Sequence, residues 1–145
     1  MPVGATGTIG SDVATLRERG HEVVRVSRQS APPIDLADSA SIAAMLGSVA
    51  GVDAIVCCAA SAPLTPLLAD GFMASLEGKL LGQLELVRLG LEHVRDGGSI
   101  TLTSGKIPDA TPGSAGGALV KGWTTPPALR RAPTSMQSRA PCRAR

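Results

Sequence analysis

Tyrosine is absent from the 145 residues, and the other aromatics are reduced to Phe72 and Trp123. That pair cannot supply the stacking platforms that single-strand nucleic-acid binders present to bases, and a tyrosine phenol is excluded as a general acid. Cysteine is scarce: Cys57 and Cys58 are adjacent inside an apolar run and Cys142 stands near the C-terminus, a spacing that matches no disulfide framework, zinc site or Cys-x-x-Cys redox pair. Reduced thiols in a cytoplasmic protein fit this usage. Long apolar runs are missing as well. The longest, Ala54 to Ala60, falls far short of the ~20 residues a membrane span needs. Met1-Pro2-Val3-Gly4 lacks the basic-then-apolar character of a signal peptide.

Acidic residues stop at Asp109. Residues 1–122 hold all 12 of them against 9 basic groups, a net of −3 that does not suit a specific nucleic-acid binder. Residues 123–145 hold five arginines (Arg130, Arg131, Arg139, Arg143 and Arg145), four prolines and no apolar periodicity. Such a segment cannot bury enough surface to offset its ordering entropy, and its charge is either solvated or touches phosphate without specificity. The expected organisation is one domain over residues 1–122 and a disordered Arg/Pro-rich tail over 123–145.

What is present is an alternation of strand-like and helical segments. Val3-Gly4-Ala5-Thr6-Gly7-Thr8-Ile9-Gly10 is a glycine-rich turn opening a helix, with Ile9, Val13 and Leu16 at helical spacing and Gly20 as its terminator. Glu22 to Ser27 is rich in β-branched residues and predicts a strand, and Ile34 to Leu36 predicts a second short one. Pro32 and Pro33 stand between them, so a loop joins them. Asp38 caps a helix whose Ile42, Met45, Leu46 and Val49 form one face, ending near Gly51. Val52 to Ala60 predicts a buried strand. From Met73 the residues Leu76, Leu80, Leu84, Val87, Leu91 and Val94 recur at three and four, predicting a long amphipathic helix broken by Gly97-Gly98. Ser99 to Thr103 predicts the last strand. The pattern calls for an α/β fold, a partial doubly wound parallel sheet with helices on both faces.

Gly4, Gly7 and Gly10 sit where a strand turns into a helix. In a dinucleotide site one glycine permits the tight turn, another lets the backbone approach a pyrophosphate and a third allows close packing, while the helix N-terminus offers N–H groups to the anion. A purely structural turn is the alternative. At the end of the second strand, where an acid would accept from an NAD ribose, stand Ser27 and Arg28. The missing acid and the cation favour the 2′-phosphate of NADP over NAD; the alternative is a solvated loop arginine.

Over residues 3–122 the sequence resembles the short-chain dehydrogenase/reductase family, with its Rossmann fold, in the form whose turn is Gly-x-x-Gly-x-x-Gly. The resemblance implies that Gly4, Thr6, Gly7, Thr8, Ile9, Gly10, Ser27 and Arg28 hold the cofactor and that Asp35, in Ile34-Asp35-Leu36, contacts the adenine. Cys57-Cys58-Ala59-Ala60 resembles the family's Asn-Asn-Ala-Gly with its polar residues replaced, placing Ala59 at the cofactor. Lys79-Leu80-Leu81-Gly82 resembles Asn-Leu-x-Gly, with Lys79 for the asparagine. Ser104 matches the serine after the fifth strand, and Gly117-Ala118-Leu119-Val120-Lys121 matches Tyr-x-x-x-Lys in spacing but not in its phenol. The implied catalytic candidates are therefore Ser104, Lys121 and Lys79. A loop-capping hydroxyl is the alternative for Ser104, and a solvated lysine for Lys121.

The implied activity is hydride transfer between NADP and a small-molecule carbonyl or alcohol, impaired by truncation; the alternative is a non-catalytic NADP sensor. Gly78 and Gly82, one turn apart, pack either within the subunit or against a partner in a homo-oligomer. His21 and His93 are not placed to replace the missing acid. The domain is expected to be incomplete, its tail resembling a GC-rich reading frame shifted by one base, and its fifth strand is expected to be an edge that the tail cannot pair.

Overall fold

Only two residues of strand precede the glycine turn, and this shortness organises the sheet. A computed structural model describes residues 1–59, 73–74, 76–104 and 129–130. Strand β1 (Pro2–Val3) lies between the Val26 backbone and β2 (Val52–Cys57), which pairs in parallel with β3 (Val94–Leu102); β4 (Leu129–Arg130) joins β3 in antiparallel. Pro2 has no N–H to give and enters as an acceptor, its carbonyl taking the Val26 N–H at 3.2 Å. The partial doubly wound α/β architecture is as the sequence predicts.

Two predicted strands are not formed. Of Glu22 to Ser27 only Val26 bridges to Val3, and Ile34 to Leu36 has no strand conformation. A ladder can be no longer than its shorter partner, and β1 offers two residues. The segment still does its packing work: Val26, Ile34 and Leu36 are buried, and the Ile34 N–H donates to the Ser27 carbonyl at 3.0 Å.

Helix α1 (Thr8–Ala14) runs into a 3₁₀ segment (Thr15–Arg19) that ends at Gly20, whose φ of +84° only glycine adopts easily. Helix α2 (Ser39–Gly47) is capped as expected, the Asp38 carboxylate accepting the Ala40 N–H at 2.9 Å, but ends at Gly47 rather than near Gly51. Its Ile42, Met45 and Leu46 form the centre of the core with Val3, Ile55, Cys57, Leu86 and Ile100. Ser39 also donates to Glu85, which Arg88 grips through two nitrogens at 2.6 and 2.7 Å; these bonds hold the Glu85 carboxyl down to about 2 and tie α2 to the long helix.

The long helix departs furthest from expectation. It comprises a π-helical segment (Leu76–Leu81) followed by α3 (Gly82–Gly90), and it ends four residues before Val94, which instead opens β3 and pairs with Val52. Gly97, at φ +81°, lies inside that strand's irregular start. The buried face is also displaced from the apolar stripe. Lys79, Gly82, Gln83, Leu86 and Gly90 are buried, whereas Leu84 is 54% exposed and Leu81 50%. A π turn holds more residues than an α turn and rotates the face that follows it, and the Leu36 backbone leaves room only for the bare Cα of Gly82. Gly82 therefore packs within the subunit.

The pairing of Ser99 with Arg130 and Ile100 with Leu129 corrects the expectation that the tail leaves β3 uncovered. Five residues free of proline, Ala128 to Ala132, suffice for a two-residue ladder. The rest of the predicted tail lies outside the described residues, as does Ala60. Among the described residues no helix is long and apolar enough to cross a membrane.

Candidate functional site

The carboxyl ends of β1, β2 and β3 converge. The Cys58 N–H donates to the Val3 carbonyl at 2.8 Å and the Thr103 N–H to the Cys57 carbonyl at 3.0 Å, so the parallel ladder continues past each strand. Beside β1 the chain order reverses, with Val26 on one flank and β2 on the other. In open α/β sheets this reversal leaves a crevice for a ligand.

The three glycines are required for three different reasons. Gly4 has φ +83°, and a Cβ there would lie 2.7 Å from the Ala59 backbone nitrogen. Its N–H and that of Ala5 both donate to the Val26 carbonyl, at 2.8 and 3.0 Å, closing the turn. Gly10 faces inward: a Cβ there would run into the Gly4 carbonyl and lie 2.9 Å from the Ala5 Cα. Gly7 faces out. Among the described residues a Cβ on it would meet only the Gly4 oxygen, at 3.5 Å, an ordinary contact. Among the described residues nothing in the protein's own packing requires glycine at position 7, and the space a side chain would fill there is what an approaching pyrophosphate needs. Thr6, Thr8 and Ile9 around it are exposed, and Gly7 caps α1 without a side-chain bond. The residues fit a dinucleotide.

Ser27 follows Val26 and is 7% exposed. Its hydroxyl accepts the Gln29 N–H at 3.1 Å, and the Ser30 hydroxyl reaches the Ser27 and Pro32 carbonyls at 2.7 and 2.8 Å, making a tight turn with Arg28 at its exposed apex. Asp35 is exposed too, its carboxylate accepting the Ala37 N–H at 3.0 Å.

At the end of β3 a second cluster forms. Lys79, 7% exposed, donates through Nζ to the Thr103 carbonyl at 2.7 Å. Gln83, fully buried, donates to the same oxygen at 3.4 Å and to the Cys57 sulfur at 3.7 Å. The Thr103 hydroxyl donates to the Cys57 carbonyl at 2.8 Å. The next residue, Ser104, is exposed. The structure thus brings Lys79 and Ser104 to the same strand end, while Lys121 and Gly117 lie outside the described residues. Gln83 and Thr103 were not singled out from the sequence; the available signal was a second polar residue one helical turn after Lys79.

Cys57 and Cys58 are free thiols, and Cys142 lies outside the described residues. Burial pushes the Cys57 thiol up to about 11, against smaller opposing effects of its bonds to Ala59 and Gln83. Alkylation of the native chain at neutral pH should therefore spare Cys57, with rapid labelling only after denaturation; mass mapping that finds Cys57 modified in the native state would contradict this burial. His93 meets the Leu89 carbonyl at 3.2 Å, and His21 lines a cavity with Met1 and Asp53 at the opposite, amino-terminal end of the sheet, so neither histidine belongs to this site.

A sequence profile described as the NAD dependent epimerase/dehydratase family matches residues 3–89. Among solved structures, a protein from Listeria innocua is 36% identical with a TM-score of 0.76, over 83% of this chain and 63% of its own. A small-chain dehydrogenase in complex with NADPH is 24% identical with a TM-score of 0.73, over 83% of this chain and 57% of that one. A short-chain dehydrogenase from Burkholderia cenocepacia in complex with NADP is 21% identical with a TM-score of 0.71, over 83% and 59%. The chain thus spans less than two thirds of the length of these three proteins. No curated protein matches it.

Proposed function

Because the chain belongs to the NAD dependent epimerase/dehydratase family, we propose that it is the cofactor-binding portion of an NADP-dependent short-chain oxidoreductase acting on a small-molecule carbonyl or alcohol. The observation that carries the reading is the outward-facing Gly7, left bare where neither backbone conformation nor packing among the described residues demands it. Gly4 and Gly10 shape the turn, Gly7 admits the pyrophosphate, and Thr6, Thr8 and Ile9 border it. Arg28, exposed on its turn beyond Val26, takes the 2′-phosphate. Asp35 and Ala59 flank the adenine and the turn. When bound, the reduced nicotinamide supplies the hydride. Ser104 orients the carbonyl, and Lys121 binds the nicotinamide ribose. A second copy of the chain is the proposed partner for the exposed Leu81 and Leu84 of the long helix.

The second reading, an NADP sensor without turnover, is favoured by the absence of tyrosine. General acid/base assistance contributes ~10²- to 10⁴-fold, so turnover by this chain should be slow by that factor. Titration with NADPH and NADH followed by a panel of carbonyls separates the two: NADPH binding with slow turnover supports the oxidoreductase, binding without turnover supports the sensor, and no binding overturns both.

A further inference from the structure

We propose that Lys79 and Gln83 form a two-donor clamp on the Thr103 carbonyl that sets Ser104 against the nicotinamide end of the cofactor, an inference that rests on the oxidoreductase reading above. Lys79 and Gln83 stand four residues apart on one face of the long helix, both are buried, and both donate to one oxygen, at 2.7 and 3.4 Å. From the β2 side the Cys57 carbonyl takes the Thr103 N–H and hydroxyl at 3.0 and 2.8 Å. Thr103 is therefore held from the helix and from the neighbouring strand at once. A peptide unit is planar and trans, with its carbonyl and N–H pointing in opposite directions. Fixing the Thr103 carbonyl toward the helix turns the Ser104 N–H away from it and sets the direction in which the Ser104 side chain leaves the end of β3.

Burial of an ammonium and an amide on a face for which leucines are available is costly unless the groups are bonded. Their shared carbonyl acceptor supplies the bond and joins the helix to the residue before Ser104. In this arrangement Lys79 is a positioning residue, not the replacement for the missing phenol. Its work is done on the peptide, and it need not touch the substrate.

The test uses the full chain and NADPH, read through nicotinamide fluorescence and amide hydrogen exchange. Lys79→Met keeps the unbranched apolar stem and removes the ammonium donor at its end. It should bind NADPH with a Kd close to that of the parent, lose most of the bound nicotinamide's fluorescence enhancement, and exchange the Thr103 amide about tenfold faster, the change expected from losing one charge-assisted hydrogen bond. Lys79→Arg, which keeps a donor, should restore both signals. Loss of general structure would instead lower NADPH affinity and melting temperature together, without selective rescue by arginine. If Lys79→Met does not fold, Gln83→Met carries the test with the same readouts and a smaller expected change. NADPH binding with fluorescence and exchange unchanged in the variant that folds overturns the clamp. Failure of the parent chain to bind NADPH overturns the oxidoreductase reading and, with it, the role of the clamp at the nicotinamide.

Discussion

Gly10→Ala will destabilise the chain by about 3 kcal/mol or more, whereas Gly7→Ala will fold normally and bind NADPH more weakly. The two substitutions add the same methyl group three residues apart in one turn, so their contrast isolates what the turn is for. At Gly10 the methyl group meets the Gly4 carbonyl and the Ala5 Cα, which are backbone and cannot rotate aside. Relief requires α1 to lift from the turn, breaking the hydrogen bonds of Gly4 and Ala5 to Val26. At Gly7 the nearest atom among the described residues is 3.5 Å away, so the free protein accommodates the change, and exchanging glycine for alanine at an unstrained position is neutral or mildly stabilising through the unfolded state. On the proposed reading, the methyl group then stands where the pyrophosphate binds. Chemical denaturation should place Gly7→Ala within about 0.5 kcal/mol of the parent, with NADPH affinity reduced at least about tenfold, a loss of ~1.4 kcal/mol. Equal NADPH affinity in the parent and Gly7→Ala would remove the main support for a dinucleotide at this turn.

The second large effect is on cofactor choice. NADPH should bind at least about tenfold more tightly than NADH, and Arg28→Ala should abolish most of that difference while leaving NADH affinity unchanged, because a charge-assisted phosphate contact contributes ~1.5 to 3 kcal/mol. Arg28 is exposed at the apex of a turn tied down by the Ser27 and Ser30 bonds, so its backbone is preorganised and its side chain faces solvent. Isothermal titration of both chains with both nucleotides decides the matter. Equal affinities in the parent chain would end the assignment of Arg28 to the 2′-phosphate.

Features governed by neighbours in sequence were legible before the structure was known. Asp38 and the face of Ile42, Met45 and Leu46 are spaced within one helix, and the glycine turn lies within eight residues; both are found as expected. Features set by distant partners were not. Glu22 to Ser27 has strand composition, yet its pairing is limited by how little of β1 lies beside it. Val94 falls in phase with the helical repeat but belongs to β3, because periodicity does not register the positive-φ turn at Gly97. The burial of Lys79 and Gln83 depends on the Thr103 carbonyl, 24 and 20 residues further on, and no local pattern encodes it. The glycine turn was therefore readable, and the cluster beneath Ser104 was not.

One atom of that buried cluster bears on how the protein could be improved. Among the described residues the Gln83 Oε1 is buried without a hydrogen-bond partner, while its amide nitrogen makes only a long bond to Thr103 and a weak one to sulfur. A stranded acceptor of this kind costs ~1 to 3 kcal/mol. Gln83→Met, of similar shape and without that oxygen, should therefore melt at a higher temperature than the parent even as it loosens the carbonyl before Ser104. Selection for thermal resistance alone would favour the substitution, and selection for turnover would reverse it. On the proposed oxidoreductase reading, the chain's reserve of stability and its capacity for chemistry are thus opposed at a single side chain, and Gln83 is the position at which an engineer must choose between them.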